Sequence, residues 1–288
     1  NAVSTAVGNG TAVVLDLADA AQQIRFVPAA DYNGTPGGLT LRAADGSWDG
    51  LTGVRNIAAA VGGSGAWSSG TAALGIVVHA LNDAPAVNGL DATPVFVEGR
   101  DSPADRNAVG TPILVDASVT IADVEIVTQA VDNFAGTTLT VARDNGSGGF
   151  AANAADLLAL SGAGTVSTSG TVVAVGGTPV ADITGNSGGQ LVITFRGNAT
   201  ASQVNAVASA VTYALDTDTP PASVTLRYRF NDDNQGAVQG SGGSLTGDAT
   251  VTIAITAQND PPLAVDDAQA IAEDAVSTGG NVLSGSGS

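Results

Sequence analysis

The chain has 288 residues, and its 9 basic and 27 acidic side chains give a formal net charge of −18. This negative charge argues against binding to nucleic acid or to an anionic membrane surface, and the absence of Cys excludes disulfides and Cys-ligated metal sites. A composition with 38 Gly and only 4% aromatic residues is typical of β-strands with small side chains joined by glycine-rich turns.

The first third of the chain contains three segments that predict β-strands, at 24–26, 39–43 and 74–80. Their apolar residues fall mainly at every second position, which is the period of a strand with one buried face. A long loop at 45–71 separates the last two segments. It carries both tryptophans of the chain, Trp48 and Trp67.

The rest of the chain has the same alternation in longer runs. It predicts strands around residues 139–141, 191–195, 211–213, 223–230 and 250–257. Glycine-rich clusters that separate these runs predict turns. No apolar run reaches the roughly 18 residues of a transmembrane helix, so we expect no membrane span in this segment.

One helix is predicted in the second half of the chain. Thr200 with Gln203 three residues later matches a capping box, and apolar residues follow at helical spacing from Val204 onward. The run at 154–160, rich in Ala and Leu, predicts a second short helical turn.

The predicted strands form an internal repeat. Segments 24–26 and 39–43 correspond to 211–213 and 226–230 at an offset of 187 residues, and 74–80 corresponds to 251–257 at 177. The chain is therefore predicted to contain the C-terminal part of one module at 1–85, a complete module at 86–262, and the opening strand of a further module at 263–288. Because it contains no Met, we expect it to be a piece of a longer or processed protein.

A short acidic string closes the last strand of each copy. It reads Asn-Asp-Ala-Pro at 82–85 and Asn-Asp-Pro-Pro at 259–262. Glu98 lies 13 residues after Pro85, and Glu273 lies 11 residues after Pro262, so the segments that follow the two strings begin alike. Such a string can stop a strand simply as an Asx–Pro turn, or it can offer oxygen ligands to a cation.

These motifs, in this order, resemble the bacterial cadherin-like and VCBS-type tandem repeats of large secreted RTX-type adhesins. The resemblance also rests on Ile-Ala-Asp-Val-Glu at 121–125 and on Val-Asp-Asp at 265–267. It implies an all-β fold of tandem cadherin-like (Ig-like Greek-key) β-sandwich modules, with one short helix in the complete module. It also implies an extracellular location at the bacterial cell surface, in a biofilm matrix or on an adhesin.

The resemblance further implies Ca²⁺ at the joints between modules. By position in the motifs, the ligands of the two joints would be, for the first, Asn82, Asp83, Asp123 and Glu125, and, for the second, Glu98, Asn259 and Asp260. Glu125 stands where the family pattern has Asp, so its longer side chain departs from the motif. Asp45 and Asp232 follow equivalent predicted strands and can point toward the same ends. The alternative is that both strings are linker turns without a metal.

We expect a structural and adhesive role, with like molecules as partners and no catalysis. His79 is the only His and falls on the outward face of its predicted strand, and no nucleophile–base motif accompanies it. The alternative function is a carbohydrate- or ligand-binding module that presents the 45–71 loop, with cell-surface glycans as partners and Trp48 and Trp67 as a small sugar platform.

The two incomplete modules suggest an assembly. The opening strand at 263–288 can fill the incomplete module at 1–85 of a second molecule by strand addition, and this contact repeats head-to-tail into a filament. The alternative is that the two ends are cut points in a continuous chain of modules.

Overall fold

The computed structural model describes residues 11–16, 19, 21–22, 24–102, 108–130, 132–162, 164–260, 273–274, 280–281 and 286–287. Contacts divide the chain into two units. Unit 1 comprises Asn1–Asn82 with Gln239–Gly242, and unit 2 comprises Asp83–Val238 with Gly243–Ser288. Among the described residues, no helix has both the length and the apolar character that a membrane crossing requires.

The described residues of unit 1 form two small antiparallel sheets. β1 (Thr11–Val14) pairs with β3 (Gly53–Asn56), and β2 (Leu39–Leu41) pairs with β4 (Ala72–Leu74). A 3₁₀ turn at Ala58–Ala60 follows β3. The predicted strand at 39–43 is thus present in shortened form. Of the strand predicted at 74–80, only Leu74 lies in β4, and Val78 forms a single bridge with Gly34, while 24–26 forms no strand in the structure.

The described residues of unit 2 form strands, one α-helix, a π-helical turn at Val124–Thr128 and a 3₁₀ turn at Gln235–Ala237. In chain order, the elements are β5 (Ala86–Asn88), β6 (Val95–Val97), β7 (Ile113–Leu114), β8 (Thr120–Ala122), β9 (Thr138–Arg143), β10 (Asp156–Leu160), β11 (Val166–Ser169), β12 (Val172–Val175), β13 (Thr178–Ser187), β14 (Gln190–Phe195), α1 (Ala201–Ala208), β15 (Val211–Leu215), β16 (Ser223–Asn231), β17 (Thr246–Thr256), β18 (Gly280–Asn281) and β19 (Ser286–Gly287).

The strands of unit 2 form a sandwich. One sheet has the order β11-β12-β13-β14-β9-β16-β17-β6, in which only β6 pairs in parallel, and a second has the order β10-β15-β7. β5 pairs with β8, and β18 with β19. The rings of Phe96 and Tyr213 meet edge-to-face, with centroids 5.9 Å apart, and so join the two main sheets in one core. The predicted all-β fold class is confirmed.

Strand β16 shows why the alternation was a reliable signal. Val224, Leu226, Tyr228 and Phe230 are buried, while the residues between them are partly exposed. The helix prediction is confirmed as well, because the Thr200 hydroxyl accepts a hydrogen bond from the Gln203 N–H, and the Gln203 side chain accepts one from the Thr200 N–H. Capping and periodicity are local properties, so they can be read directly from the sequence.

The predicted helical turn at 154–160 is wrong, because this segment forms strand β10. Its residues are buried at every second position, and it pairs antiparallel with β15. Asp156 is held by a bidentate ion pair with Arg143, at 2.7 and 2.9 Å, and it accepts a hydrogen bond from the Tyr213 hydroxyl at 2.8 Å. These long-range contacts override the helix propensity of Ala and Leu.

The internal repeat is visible in strand register. In unit 1, Leu39 pairs with Leu74, and in unit 2, Leu226 pairs with Val251. These pairs correspond at the sequence offsets of 187 and 177 residues, and the two next pairs along the strands correspond in the same way. The β2–β4 pair therefore has the register of the β16–β17 pair.

Candidate metal centre

Three of the four residues predicted for the first joint lie in unit 2. Asp83 begins the unit, and Asp123 follows β8. A wide π-helical turn at Val124–Thr128 comes next, in which the Gln129 N–H donates to the Val124 carbonyl at 2.7 Å. The Asp123 Oδ1 caps this turn by accepting a hydrogen bond from the Ile126 N–H at 2.8 Å. The cap explains why an Asp stands at this position and places Glu125 on the first residues of the turn.

Asp123 and Glu125 are buried carboxylates with spare oxygens. Their exposed fractions are 4% and 3%, and neither Oδ2 of Asp123 nor Oε2 of Glu125 has a hydrogen-bond partner among the described residues. Burial raises the pKa of Asp123, and the negative charges of Asp232 and Asp132 raise it further. Burial also raises the pKa of Glu125, with contributions from the charges of Asp123 and Asp83. Since an uncompensated buried carboxylate is unfavourable, a cation here would stabilise the fold.

Asp232 is a further acidic residue close enough to act on Asp123, and it lies outside the short motifs from which the other ligands were predicted. It follows β16, is 1% exposed, and accepts a hydrogen bond on Oδ1 from the Leu245 N–H at 2.8 Å. Its position after a strand equivalent to that preceding Asp45 was the only sequence signal for it. Its electrostatic effect on Asp123 now groups it with the first-joint carboxylates.

We call Asp83, Asp123, Glu125 and Asp232 the first acidic group. The oxygen atoms that this group offers are of the kind that calcium binds. Ca²⁺ prefers six to eight oxygen ligands, chiefly carboxylates and carbonyls. Within the described part of the chain, no group of three or more acidic, His or Cys side chains is placed to hold a metal ion. Asn82, the fourth predicted ligand, belongs to unit 1. It is 4% exposed there, and its N–H donates to the Ser241 carbonyl at 2.9 Å.

The residues predicted for the second joint are only partly brought together. Glu98, directly after β6, accepts a hydrogen bond on Oε2 from the Gln258 N–H at 2.7 Å, while its buried Oε1 has no partner among the described residues. Asp260 accepts one from the Asp101 N–H at 2.7 Å. Asn259 is exposed. Sequence reasoning missed Asp101, whose only signal was its position in the acidic segment after β6.

The residues Glu98, Asp101 and Asp260 form a second acidic group. The first and second acidic groups lie at opposite ends of unit 2. β16 and β17 are antiparallel, with Asn231 paired to Thr246 at one end and Ser223 paired to Ala254 at the other. Asp232 follows the first end, and Glu98 follows β6 at the second. Eight residue steps along β16 separate the ends by about 27 Å. Asp83, the first residue of unit 2, interacts with Glu125 in the first group, whereas Asp260 lies in the second group, where it bonds to Asp101.

The two tryptophans of unit 1 meet in the loop at 45–71. Their ring centroids lie 6.3 Å apart at an interplanar angle of 60°, beside a cavity of about 220 Å³ that Asp49 and Arg55 also line. The Trp48 Nε1–H donates to the Leu51 carbonyl at 3.2 Å, and the Trp67 N–H donates to the Ala60 carbonyl at 3.0 Å. The edge-to-face arrangement and these bonds fit a clamp within the loop better than a flat sugar platform. Glycan binding stays a prediction.

Comparison with known proteins does not assign the chain to a family. No family model matches the chain, and neither does any curated protein. A solved structure, AggA, the major subunit of aggregative adherence fimbriae type I from Escherichia coli, is similar with a TM-score of 0.27 and 16% identity. The match covers 62% of this chain and 99% of that one. Similarity at this level supports no conclusion about function. The resemblance to cadherin-like repeats therefore stays a prediction from the motifs.

Proposed function

We propose that this chain is a structural and adhesive segment of an extracellular fibre protein that is built from tandem β-sandwich modules. The observation that carries the proposal is the placement of Asp83, where unit 2 begins, and of Asp260, after its long strand β17, at opposite ends of the sandwich. A module connected in this way extends an array by its full length, whereas entry and exit at one end would fold the array back. The role is mechanical and does not include catalysis.

Calcium stiffening is the second part of the proposal. Each end of unit 2 carries a buried carboxylate oxygen that has no hydrogen-bond partner in the part of the chain that the structure describes, on Glu125 at one end and on Glu98 at the other. Neutralising these groups removes electrostatic repulsion where the chain enters and leaves the sandwich. The net charge of −18 adds to the repulsion that a divalent cation relieves.

Self-association by strand complementation is the third part. In unit 1, the pair β2–β4 repeats the register of β16–β17, yet Leu41 is 40% exposed where its equivalent Tyr228 is fully buried. Exposed apolar strands with open edges favour pairing with another chain. The segment 263–288 of a second copy is the proposed partner, and the contact generates an open head-to-tail polymer.

The test is electron microscopy of the purified protein with millimolar Ca²⁺ and after chelation. We expect filaments with calcium, and shorter or bent ones without it. A variant that ends at residue 262 keeps the complete module and should remain monomeric in both conditions. Monomers of the unmodified protein under all conditions would overturn the assembly proposal, and filaments of unchanged length from the shortened variant would overturn the role of 263–288.

A further inference from the structure

In unit 2, the outer edge of β17 is covered by β6, the second strand of the unit. β6 runs parallel to β17, with the Ala254 N–H donating to the Pro94 carbonyl at 3.0 Å and the Glu98 N–H donating to the Thr256 carbonyl at 3.0 Å. Ile255, between them, donates its N–H to Ala222 on the opposite edge at 2.9 Å. The backbone groups of residues 254 and 256 therefore form hydrogen bonds with the segment that contains β6. The N–H of residue 255 forms its hydrogen bond on the opposite side of β17.

Unit 1 repeats this edge, and among the described residues no strand pairs with its outer side. At the offset of 177 residues, Val77, Val78 and His79 correspond to residues 254–256. Val78 exchanges two backbone hydrogen bonds of 2.9 Å with Gly34, as Ile255 bonds to its inner neighbour. On the other edge, the Val77 N–H and the His79 carbonyl have no partner among the described residues. Val77 is 61% exposed.

The sequence that follows the second acidic string resembles β6, the strand that pairs with the equivalent edge of unit 2. Glu98 corresponds to Glu273, and the same offset of 175 residues aligns β6, which reads Val-Phe-Val, with Ala-Ile-Ala at 270–272. In β6, only the central Phe96 points into the core, where it is fully buried, while its two neighbours are exposed. Segment 270–272 lies outside the described residues, but its pattern is the same, with one large apolar residue between two small ones.

We propose that the edge formed by Val77 and His79 binds segment 270–272 of a second copy as a parallel strand. The register follows from the pairs seen between β17 and β6, which are Ala254 with Val95 and Thr256 with Val97. It pairs Val77 with Ala270 and His79 with Ala272, and it directs Ile271 to the apolar face of unit 1. This inference rests on the proposed function, because it specifies the contact that joins the copies.

Disulfide trapping tests the register, because the chain contains no Cys of its own. Four variants are needed, Val77→Cys, His79→Cys, Ala270→Cys and Ala272→Cys, each with a single thiol. Val77 and His79 are exposed, so these two changes leave the fold of unit 1 intact. Mixing two different variants under mild oxidation allows only links between copies, and non-reducing electrophoresis with mass spectrometry identifies the mixed dimer.

The proposed register predicts a crossed pattern. Val77→Cys with Ala270→Cys, and His79→Cys with Ala272→Cys, should form mixed dimers at least tenfold faster than the swapped combinations. Partners directly opposite lie on strands about 4.8 Å apart, whereas the swapped pairs are separated by about 7–8 Å, beyond disulfide reach. Equal rates in all four mixtures, or faster linking of the swapped pairs, would overturn the register.

The outcome separates this inference from the proposal on which it rests. Filaments in the microscope without the crossed pattern would leave the fibre role standing and remove this contact. Absence of filaments together with absence of mixed dimers would remove both. A protein carrying Val77→Cys and Ala270→Cys together, if it links only within one monomer, would show that the segment folds back on its own chain and would overturn the role of a second copy.

Discussion

Units 1 and 2 contain equivalent strand sequences, but the apolar residues of these strands are exposed in unit 1 and buried in unit 2. The β2–β4 and β16–β17 pairs have the same register, but Leu74 is 52% exposed and its equivalent Val251 is 3% exposed. Ile24 is 60% exposed, while its equivalent Val211 is fully buried. The register of a strand pair therefore depends on the two strands themselves, whereas their burial depends on whether other strands pack over them. In unit 2, this covering layer comes from β7, β10 and the strands that precede β15.

The largest expected effect compares equivalent aromatic residues of the two units. Tyr213→Ala should lower the free energy of unfolding of unit 2 by about 3–5 kcal/mol, because it empties a fully buried site. Phe26→Ala, at the equivalent position in unit 1, should cost about 0.5 kcal/mol or less, because the ring is 43% exposed. Urea unfolding followed by circular dichroism at low protein concentration measures both. Similar costs would contradict the difference in burial between the units.

The same two variants can also be compared in filaments. If the exposed face of unit 1 is covered in filaments, Phe26→Ala should weaken filament stability although it hardly changes the monomer. Tyr213→Ala should act on monomer and filament alike. The control is a filament-disassembly midpoint measured beside the monomer unfolding curve for each variant.

Calcium should have the next largest effect, and it should act on unit 2. At 100 times its dissociation constant, a ligand that binds only the folded state stabilises it by about 2.7 kcal/mol. Calorimetry of the chelated protein during calcium titration should show an unfolding transition of unit 2 that moves to higher temperature. Magnesium serves as the control cation, because its rigid octahedral preference fits a mixed carboxylate site less well. No shift at millimolar calcium would contradict both joint sites.

The smallest expected effect is a pH dependence in the calcium-free protein. The raised pKa of Asp123 means that the folded state binds its proton more tightly than the unfolded state does. This group therefore makes stability fall as pH rises above the ordinary carboxyl value of 3.8 and through the raised pKa. Asp123→Asn keeps the oxygen that caps the turn and removes the charge. Its melting temperature relative to the unmodified protein should rise with pH across this window.

Asp182 provides a matched control of opposite sign. A hydrogen-bonded ion pair with Arg196 lowers the pKa of Asp182, so its contribution to stability is present above 3.8 and lost as pH falls below that value. Asp182→Asn should therefore destabilise the protein at neutral pH, by a small amount because both side chains are about one-third exposed, and have no effect in strong acid. If both variants responded to pH in the same direction, the assignment of a raised pKa to Asp123 would be wrong.

The residues of the candidate metal centre that belong to short sequence motifs were predictable. Those that tertiary structure brings in from distant parts of the sequence were not. Asp83, Asp123 and Glu125 were found from short motifs, and all three lie in the first acidic group of unit 2. The contribution of Asp232 depends on how β16 folds back beside the turn after β8, more than 100 residues away in sequence. The hydrogen bond between Asp101 and Asp260 joins two segments that no motif connects.

What the sequence determined by itself is local or periodic. The alternation of β16, the capping box of α1 and the repeat offsets all follow from neighbouring residues, because backbone geometry imposes the periods of strands and helices. Tertiary structure alone decided that 154–160 is a strand, because a buried Asp156 needs Arg143 and Tyr213 as partners. It also decided which copy of the repeat is buried, since burial depends on the layers that pack over a strand and not on the strand itself.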